Sequence, residues 1–360
     1  VVFIVGLLIV NRQLSFMQTE DKGFSPNHVV YIRNMAIFDK PDVFKAVKEK
    51  ILSMDGVRAV SVANQIPTGP KAPAQLFTIN GSEGYLNAVA VDIDYFKTLD
   101  IKLAEGRFYN PNFSSDESES ILINEAAVKK YSIASPLGKL IKNCNHTYQI
   151  VGVIKDFKSD GFETAVLPTA YTLSNRCGPP KTSIIIKISD GRVAGVLKSL
   201  RAEWPKINKL DGEDFRYDFM DTLYGQLFKK QEQLKFVFSC LSVVTILIAL
   251  FGLYAYAKLM IEARFKEIAI RKILGAENFE LLSILNSSFL WLVLISNVVA
   301  APLVYIAANR WLQGFAYKQD ISLSPFLIAA LVTVGLTIET VCIQAFKILK
   351  AQPVKALKYE

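Results

Sequence analysis

The segment Lys258–Glu280, with the sequence KLMIEARFKEIAIRKILGAENFE, separates two long stretches that contain no charged residue. These stretches are Phe236–Ala257 and Leu281–Asn309. Each exceeds the roughly 20 residues that an α-helix needs to cross the hydrocarbon core of a bilayer. The segment between them carries five Lys/Arg and four Glu residues. This order predicts two membrane-spanning helices joined by a short charged segment.

The charged segment has the pattern of a small amphipathic helix. Arg264, Glu267 and Arg271 fall at i, i+3 and i+7 on one helix face, where opposite charges can pair. Gly275 then lies where a C-cap glycine belongs. Two interpretations fit such a helix at a membrane surface: it lies passively on the lipid, or another protein binds it. A neighbouring stripe is apolar and consists of Phe265, Ile268, Ala269 and Ile273.

The composition indicates a membrane protein with a charge-balanced soluble part. The 360 residues are 51% hydrophobic and carry a formal charge of +8. Residues 11–234 hold 29 Lys/Arg and 26 Asp/Glu, whereas the remaining residues hold 12 and 7. The basic excess therefore lies next to the membrane spans and is a topology signal. No basic run carries interleaved aromatic residues, so nucleic acid is not an expected partner.

Apolar stretches also lie at the start of the chain and before its C-terminal tail. Val1–Val10 is uncharged but too short to cross a bilayer. We expect it to be the C-terminal end of a truncated transmembrane helix, in a chain that is a fragment. The sequence predicts three complete transmembrane helices, at about 236–257, 281–308 and 321–346.

The distribution of Lys and Arg predicts the orientation. Segment 258–280 has five of them and the tail 347–360 has four, whereas the connection 310–320 has two. Because positively charged loops stay in the cytoplasm, the segment and the tail are expected inside a bacterial inner membrane. Residues 11–234 are then extracytoplasmic, and residues 235–360 form the membrane domain.

The extracytoplasmic part contains two predicted βαβ units, which indicate a split, ferredoxin-like sheet with helices on one side. The fold class is therefore an α+β membrane protein. The predicted strand, helix and strand are His28–Ile32, Pro41–Met54 and Val57–Ala63 in the first unit, and Ser183–Ile188, Val193–Trp204 and Phe215–Phe219 in the second.

Residues of about 74–173 are predicted to form an inserted lobe with its own core. Asn124 is a plausible N-cap for a helix that ends at Tyr131. The polar loop Asn110–Glu119 is expected to be exposed. Leu223–Leu234 contains no helix breaker and is expected to continue into the first complete span. Strands are predicted near Leu76–Ile79, Leu86–Val91, Ile121–Ile123 and Gln149–Val153.

The motifs of several enzyme classes are missing from the sequence. It contains no G-x-x-x-x-G-K-[ST] phosphate loop, no H-E-x-x-H and no G-x-S-x-G. We therefore expect no catalytic site, no metal site and no cofactor in this chain. Cys144 and Cys177 could form a disulfide in an oxidising compartment or remain two free thiols.

Several stretches together resemble the FtsX/MacB-like family of ABC-transporter permeases. The ten residues from Glu267, EIAIRKILGA, are similar to the family's hallmark between two spans. The resemblance extends to YGQLFKKQE from Tyr224, VDIDYFKTLDIKLAEGRF from Val91, and the end of the chain from Gln344 to Leu357. Their order and spacing cover essentially the whole chain.

This resemblance implies four transmembrane helices with a two-lobed extracytoplasmic domain between the first and the second. It implies a second permease half or a homodimer partner, and this chain resembles the C-terminal half of a larger, eight-helix permease. It also implies a cytoplasmic ABC ATPase subunit that binds ATP and docks on segment 258–280. The expected coupling residues are Arg264, Glu267, Ile268, Arg271, Lys272, Gly275 and Ala276.

Two functions follow from the resemblance. The first is the permease subunit of an ABC transporter that moves its extracytoplasmic domain to export or extract amphiphiles, peptides or lipoproteins. The alternative is a non-transporting relay that activates an extracytoplasmic partner such as a cell-wall hydrolase. A periplasmic adaptor is a further possible partner of the first function, and membrane lipid is a partner of both.

Overall fold

The computed structural model describes residues 1–33, 41–69, 71, 73–174, 178, 180–207 and 215–350. They form two compact units. The helical unit contains Val1–Thr19 and the described residues from Lys229 onward, and the α+β unit is Glu20–Phe228. The boundaries therefore fall after Thr19 and Phe228, whereas the hydropathy pattern puts them after Val10 and Leu234.

The secondary structure alternates strands and helices in the α+β unit and is helical elsewhere. In chain order the elements are α1 (Val2–Thr19), β1 (Val29–Ile32), α2 (Pro41–Leu52), β2 (Val57–Ala63), β3 (Ala74–Ile79), β4 (Ser82–Ala90), α3 (Tyr95–Thr98), β5 (Leu103–Gly106), β6 (Ser120–Asn124), α4 (Glu125–Lys130), β7 (Leu140–Asn143), β8 (His146–Ile154), β9 (Thr169–Thr172), β10 (Ser183–Ile188), α5 (Val193–Ile207), β11 (Asp218–Phe219), α6 (Met220–Gln226), α7 (Lys229–Ala263), α8 (Phe265–Ile273), α9 (Asn278–Leu312) and α10 (Ser324–Lys350).

The first lobe of the α+β unit is the predicted split βαβ fold. Its sheet has the order β11-β1-β10-β2, and all neighbours pair antiparallel. The units β1-α2-β2 and β10-α5-β11 interleave, because β10 lies between β1 and β2. Alternate strand residues, among them Val60 and Ile186, pack with Leu200 and Trp204 of α5 in one core. The predicted strand Phe215–Phe219 is too long, because only Asp218–Phe219 pair with β1, whereas residues 215–217 have no regular secondary structure.

The second lobe lies between β2 and β10 in the chain and contains a closed ring of strands. Pairing proceeds through β8, β6, β9, β4, β3 and β7, and β7 then pairs with β8. β5 pairs with β8 outside the ring. Phe77, Ile121 and Ile150 belong to the core of this lobe. Asn124 is the N-cap of α4, as predicted, since its Oδ1 accepts a hydrogen bond from the Ala127 amide at 3.1 Å.

The β7–β8 hairpin contains a tight turn at Cys144 and Asn145. Both residues have positive φ, 49° and 61°, as a two-residue type I′ turn requires. Cys144 is disulfide-bonded, whereas Cys240 and Cys342 are free. Cys177, the partner considered from the sequence, lies outside the described residues.

Backbone and ionic contacts connect the two lobes. Val91, directly after β4, forms a bridge with Ala63 at the end of β2. The Lys48 ammonium of α2 lies 2.8 Å from an Asp92 carboxylate oxygen. The other Asp92 oxygen accepts a hydrogen bond from Ser61 of β2. The connection from β4 to α3 is thereby fixed to the sheet of the first lobe.

In the described part of the chain, four helices are long and apolar enough to cross a membrane, namely α1, α7, α9 and α10. α7 and α9 have 35 residues each. α9 continues as one helix through Pro302. Asn297 of α9 donates a hydrogen bond to the Thr333 hydroxyl of α10 at 3.1 Å, a contact of the kind that joins helices in lipid.

α1 extends past Val10 because its polar residues have partners. Arg12 Nε donates to Gln319 Oε1 at 2.9 Å. The side-chain amide of Gln13 donates through Nε2 to the Tyr317 carbonyl at 3.1 Å, and its Oε1 accepts from the backbone amide of Gln319 at 3.0 Å. The polarity of the residues after Val10 is the reason why the sequence predicts the end of the helix there. The connection between α9 and α10 supplies hydrogen-bond partners for Arg12 and Gln13, so the helix continues past Val10.

The predicted continuous helix from Leu223 into the first complete span is wrong. α6 ends at Gln226, and α7 begins at Lys229. Leu227 and Phe228 form a turn in which their amides bond three residues back, to Tyr224 and Gly225. The turn keeps these backbone amides satisfied, so the break needs no proline or glycine at the junction itself.

Candidate functional site

The charged segment 258–280 contains parts of three helices. Its first residues, through Ala263, complete α7, and α9 begins at Asn278. Only Phe265–Ile273 form the separate helix, α8. Arg264, at φ −97° and ψ 9°, leaves helical geometry and separates α7 from α8. Its amide still bonds to the Met260 carbonyl, and its carbonyl accepts from the Ile268 amide, so the backbone groups of Arg264 keep their hydrogen bonds at this break.

One side of α8 packs on the inner core of the helical unit. Ile268 is 8% exposed, and Ala276 packs against the same cluster. Leucine-sized burial of this kind contributes about 1.5–3 kcal/mol per side chain. Ile268 therefore belongs to one apolar cluster with residues of three long helices. The partners come from α7, α9 and α10 and are Ala257, Ile261, Leu281, Leu285, Phe289, Val341 and Ala345.

The polar side of α8 carries an ion pair between two of its described side chains. Arg271 Nη2 lies 2.8 Å from Glu267 Oε1, with both side chains about half exposed. An exposed i,i+4 pair stabilises a helix by about 0.3–0.5 kcal/mol. The pairing predicted among Arg264, Glu267 and Arg271 is thus realised between the last two, while Arg264 occupies the junction. Lys272 is half-buried in the last turn.

Gly275 ends α8 in the left-handed conformation, with φ +94°. Its amide bonds to the Lys272 carbonyl at 3.2 Å, and the Ala276 amide bonds to the Arg271 carbonyl at 3.0 Å. These two bonds are the pair that defines a Schellman motif. A Cβ on Gly275 would meet no atom within 4 Å. The glycine is therefore required by backbone conformation, and not by lack of space.

Three large apolar side chains around α8 face away from the core. Ile270 is 55% exposed, and Leu274 and Phe279 are each 80% exposed. Sequence reasoning did not select them, because the stripe through Ile268 accounts for the apolar pattern. The signal that would have found them is the i,i+4 spacing of Ile270 and Leu274 off that stripe.

The charged segment offers charged and apolar groups for contact but no catalytic cluster. Within the described part of the chain, no group of three His, Cys, Asp or Glu side chains is placed to hold a metal ion. What the segment can do chemically is bind: it presents the Glu267–Arg271 pair and exposed apolar side chains on a helix fixed to the membrane helices.

Two family models cover most of the chain. Residues 1–202 match the MacB-like periplasmic core domain, and residues 239–353 match the FtsX-like permease C-terminal domain. The chain belongs to the FtsX/MacB-like family of ABC-transporter permeases. The four apolar helices and the periplasmic domain make this permease a protein of the bacterial inner membrane, with an extracytoplasmic α+β unit.

The relatives of the permease include larger proteins. The macrolide export ATP-binding/permease protein MacB of Neisseria gonorrhoeae is 23% identical over 86% of this chain and 49% of its own length. The protein of that name from Aggregatibacter actinomycetemcomitans is 23% identical over 72% of this chain and 39% of its own. The chain thus spans about half the length of these curated relatives, or less.

Solved structures similar to the permease are extracytoplasmic domains. The periplasmic region of MacB from Actinobacillus actinomycetemcomitans is 17% identical, with a TM-score of 0.43 over 59% of this chain and 97% of that one. The extracellular domain of the transporter YknZ from Gram-positive bacteria is 14% identical, with a TM-score of 0.39 over 53% and 97%.

Proposed function

We propose that the chain is a permease subunit that converts ATP hydrolysis by a cytoplasmic ATPase subunit into movement of its extracytoplasmic domain. The movement serves export or extraction of amphiphiles, peptides or lipoproteins. The observation that carries the proposal is the two-sided character of α8. Ile268 fixes it to the membrane helices, while its other side presents exposed charged and apolar groups.

The packing of Ile268 supports transmission of force. A partner that displaces α8 must also displace the side chains in which Ile268 is buried, since close-packed cores do not deform continuously. The cluster that contains Ile268 also contains side chains of α7, α9 and α10. The α+β unit directly precedes α7 in the chain. A displacement of the cytoplasmic end of α7 therefore has a direct path along this helix to the extracytoplasmic side.

The exposed groups support docking of a protein in preference to passive contact with lipid. A helix lying on lipid depends on apolar area and general positive charge. Here Glu267 pairs with Arg271, and the Schellman turn at Gly275 fixes where the helix ends. The ion pair and the turn together fix the shape of the exposed side of α8. A groove on a protein recognises such a fixed shape, whereas a lipid surface does not require it.

A second permease half is the other proposed partner. Among the four candidate spans, α7 has the smallest buried share of its apolar window, 6%, against 33% for α1 and 17% for α9 and α10. Its exposed side chains, among them Ile248 at 67% and Phe251 at 72%, are available to lipid and to a second half. A cysteine at Ile248 should cross-link to a second permease copy or half in native membranes.

The docking proposal is tested by changing the end of α8. Gly275→Val should destabilise the turn by roughly 1 kcal/mol or more, because a β-branched residue is strained at positive φ. We expect co-purification of the ATPase subunit, and the ATP hydrolysis measured with it, to fall, while membrane insertion is unchanged. Gly252→Val is the matched control, since Gly252 has no positive φ and open space around its Cβ position.

The charge pair is tested in the same assay. Glu267→Lys should reduce ATPase association, whereas Glu262→Lys should not, although Glu262 also lies in an exposed i,i+4 pair, with Lys258 at 3.9 Å on α7. Exchanging both charges, Glu267→Arg with Arg271→Glu, should restore the helix but not the association. Normal association and turnover in Gly275→Val and Glu267→Lys together would exclude docking on α8.

A further inference from the structure

Two short segments lead from the membrane helices into the α+β unit. The first connector, Glu20–Phe24, follows α1, and the second connector, Tyr224–Phe228, precedes α7. Along the chain both connectors lead to the first lobe, through β1 and β11. The second lobe is joined to the chain only through β2 and β10 of that first lobe. Chain connectivity therefore gives the second lobe no direct path to the membrane helices.

A loop of the second lobe nevertheless contacts the first connector. The Asp156–Phe162 loop follows β8, and its Lys158 makes most of the contacts. The Lys158 amide donates to the Lys22 carbonyl, and its ammonium donates to the Asp21 carbonyl, both at 2.8 Å. The ammonium also lies 3.8 Å from a Glu20 carboxylate oxygen. Main chain and side chain of one residue thus bind three consecutive residues of the connector.

The same residue of the loop binds the second connector. The Tyr224 hydroxyl donates a hydrogen bond to the Lys158 carbonyl at 3.1 Å. The ring of Phe162 lies 6.5 Å from that of Phe228. The Lys158 ammonium is 4.9 Å from the centre of the Phe162 ring, within the range of a cation–π contact. Lys158 therefore bridges the two connectors.

An aromatic core fills the space between the loop and both connectors. Phe24 lies 5.8 Å from Phe157 and 5.5 Å from Tyr224, measured between ring centres. Phe162 is fully buried, and Tyr224 is 2% exposed. Buried aromatic pairs contribute about 0.5–1.5 kcal/mol each beyond the area they bury. The contact is thus a packed interface, and not a chance approach of two surface loops.

Gly23 has the conformation and the space that this close approach requires. Its φ is +79°, and a Cβ there would lie 2.8 Å from Phe157 Cβ and 3.0 Å from the Asp156 carbonyl oxygen. Both distances are shorter than ordinary van der Waals contact. The first connector can approach the loop this closely only because residue 23 has no side chain.

We propose that the Asp156–Phe162 loop couples the second lobe directly to both membrane connectors, with Lys158 as the positioning residue. When the connectors move, the second lobe follows them through this interface as well as through the first lobe. The inference rests on the proposed function, because that function supplies the movement of the connectors. The inference specifies which residues transmit the movement of the connectors to the second lobe.

The test measures one distance in the full chain in lipid nanodiscs. Spin labels are placed at Glu83→Cys in the second lobe and Gln226→Cys in the second connector, both exposed positions, with Cys240 and Cys342 replaced by serine. Tyr224→Phe removes the hydroxyl donor and keeps the ring. Lys158→Met removes the ammonium and keeps an unbranched apolar side chain. The matched control is Tyr131→Phe, which removes a hydrogen bond of the same kind, to the Tyr85 carbonyl at 2.8 Å, within the second lobe.

We expect a narrow distance distribution in the parent and in Tyr131→Phe, and a broadened or shifted one in Tyr224→Phe with Lys158→Met. A contact that only stabilises the fold would lower the unfolding temperature and leave the distribution unchanged. A folded double variant with the parent distribution therefore overturns the proposal. If the double variant does not fold, Tyr224→Phe alone decides by the same criterion.

A second arm separates this inference from the proposed function. The parent is measured with the purified ATPase subunit and ATP. In this arm the single label at Glu83→Cys is measured against paramagnetic lipids of the nanodisc, because coupling keeps its distance to the second connector constant. A separation from the bilayer that does not respond to ATP contradicts the proposed function, whereas the broadening caused by the double variant without ATP still supports the coupling interface. Failure of one arm is thus distinguishable from failure of the other.

Discussion

At the scale of single residues, Asp116 shows how an acidic loop becomes ordered. The loop 110–119 is mostly exposed, as predicted, but Asp116 within it is 2% exposed. Its oxygens accept hydrogen bonds from Arg107 Nη1 and Nη2 at 2.6 and 2.7 Å, from Ser120 Oγ at 2.6 Å and from the Asn110 amide at 2.9 Å. Burial by itself raises the pKa of Asp116, but these hydrogen bonds outweigh it and lower the pKa below its ordinary value.

The stability of this loop should depend on pH. Because the folded-state pKa is depressed, the contribution is complete above the unfolded-state value of about 3.9 and is lost as the pH falls through the folded-state pKa. Asp116→Asn should destabilise the loop by about 1–3 kcal/mol at pH 7. We expect faster amide exchange in residues 107–120, compared with the parent at equal pH.

The difference from the parent should shrink in acid, where the parent loses its own carboxylate. Asp190→Asn serves as the control, since Asp190 is 88% exposed and pairs only at 3.5 Å with His28. A difference at pH 7 that persists unchanged at a pH where the parent carboxylate is fully protonated would contradict the ionic explanation.

At the scale of elements, the outer end of α1 depends on the connection between α9 and α10. Gln13 is 1% exposed, and its amide both donates to and accepts from that connection. Gln13→Leu keeps the volume but leaves the Tyr317 carbonyl and the Gln319 amide without this partner. We expect a loss of about 1–3 kcal/mol for each buried group left unsatisfied, seen as a lower unfolding temperature and faster proteolysis of residues 313–322.

The control for this element is Gln313→Leu, an exposed glutamine at the end of α9. It should change neither measurement. Equal effects of the two variants would mean that the hydrogen bonds of Gln13 do not hold α1 to the connection.

At the scale of the whole molecule, the orientation can be checked by labelling intact cells. Ser115 lies in the α+β unit and Glu277 at the start of α9, and both are exposed. With Cys240 and Cys342 replaced, a cysteine at Ser115 should react with a membrane-impermeant reagent, whereas one at Glu277 should react only after lysis. The reverse pattern would contradict the charge distribution as a guide to topology.

The sequence predicts the molecule best where one physical pattern dominates. The βαβ strands β2 and β10 are predicted to the residue, because turn-forming residues bound both of these stretches rich in β-branched side chains. β5, β7 and β9 were missed, since each has four residues and little periodicity. The C-cap position of Gly275 follows from spacing. The exposure of Leu274 and the partners of Arg12 depend on tertiary contacts, which local periodicity does not contain.

The length of α7 has a mechanical consequence. Its 35 residues correspond to about 52 Å of continuous helix, whereas the hydrocarbon core is about 30 Å thick. Under the proposed function, such a helix would act as a lever arm with its pivot in the bilayer. A tilt of about 10° displaces each end by about 4–5 Å, in opposite directions, given a rise of about 1.5 Å per residue. A small rotation imposed beside α8 thus becomes a stroke of several ångströms at Lys229, with no change in the helix itself.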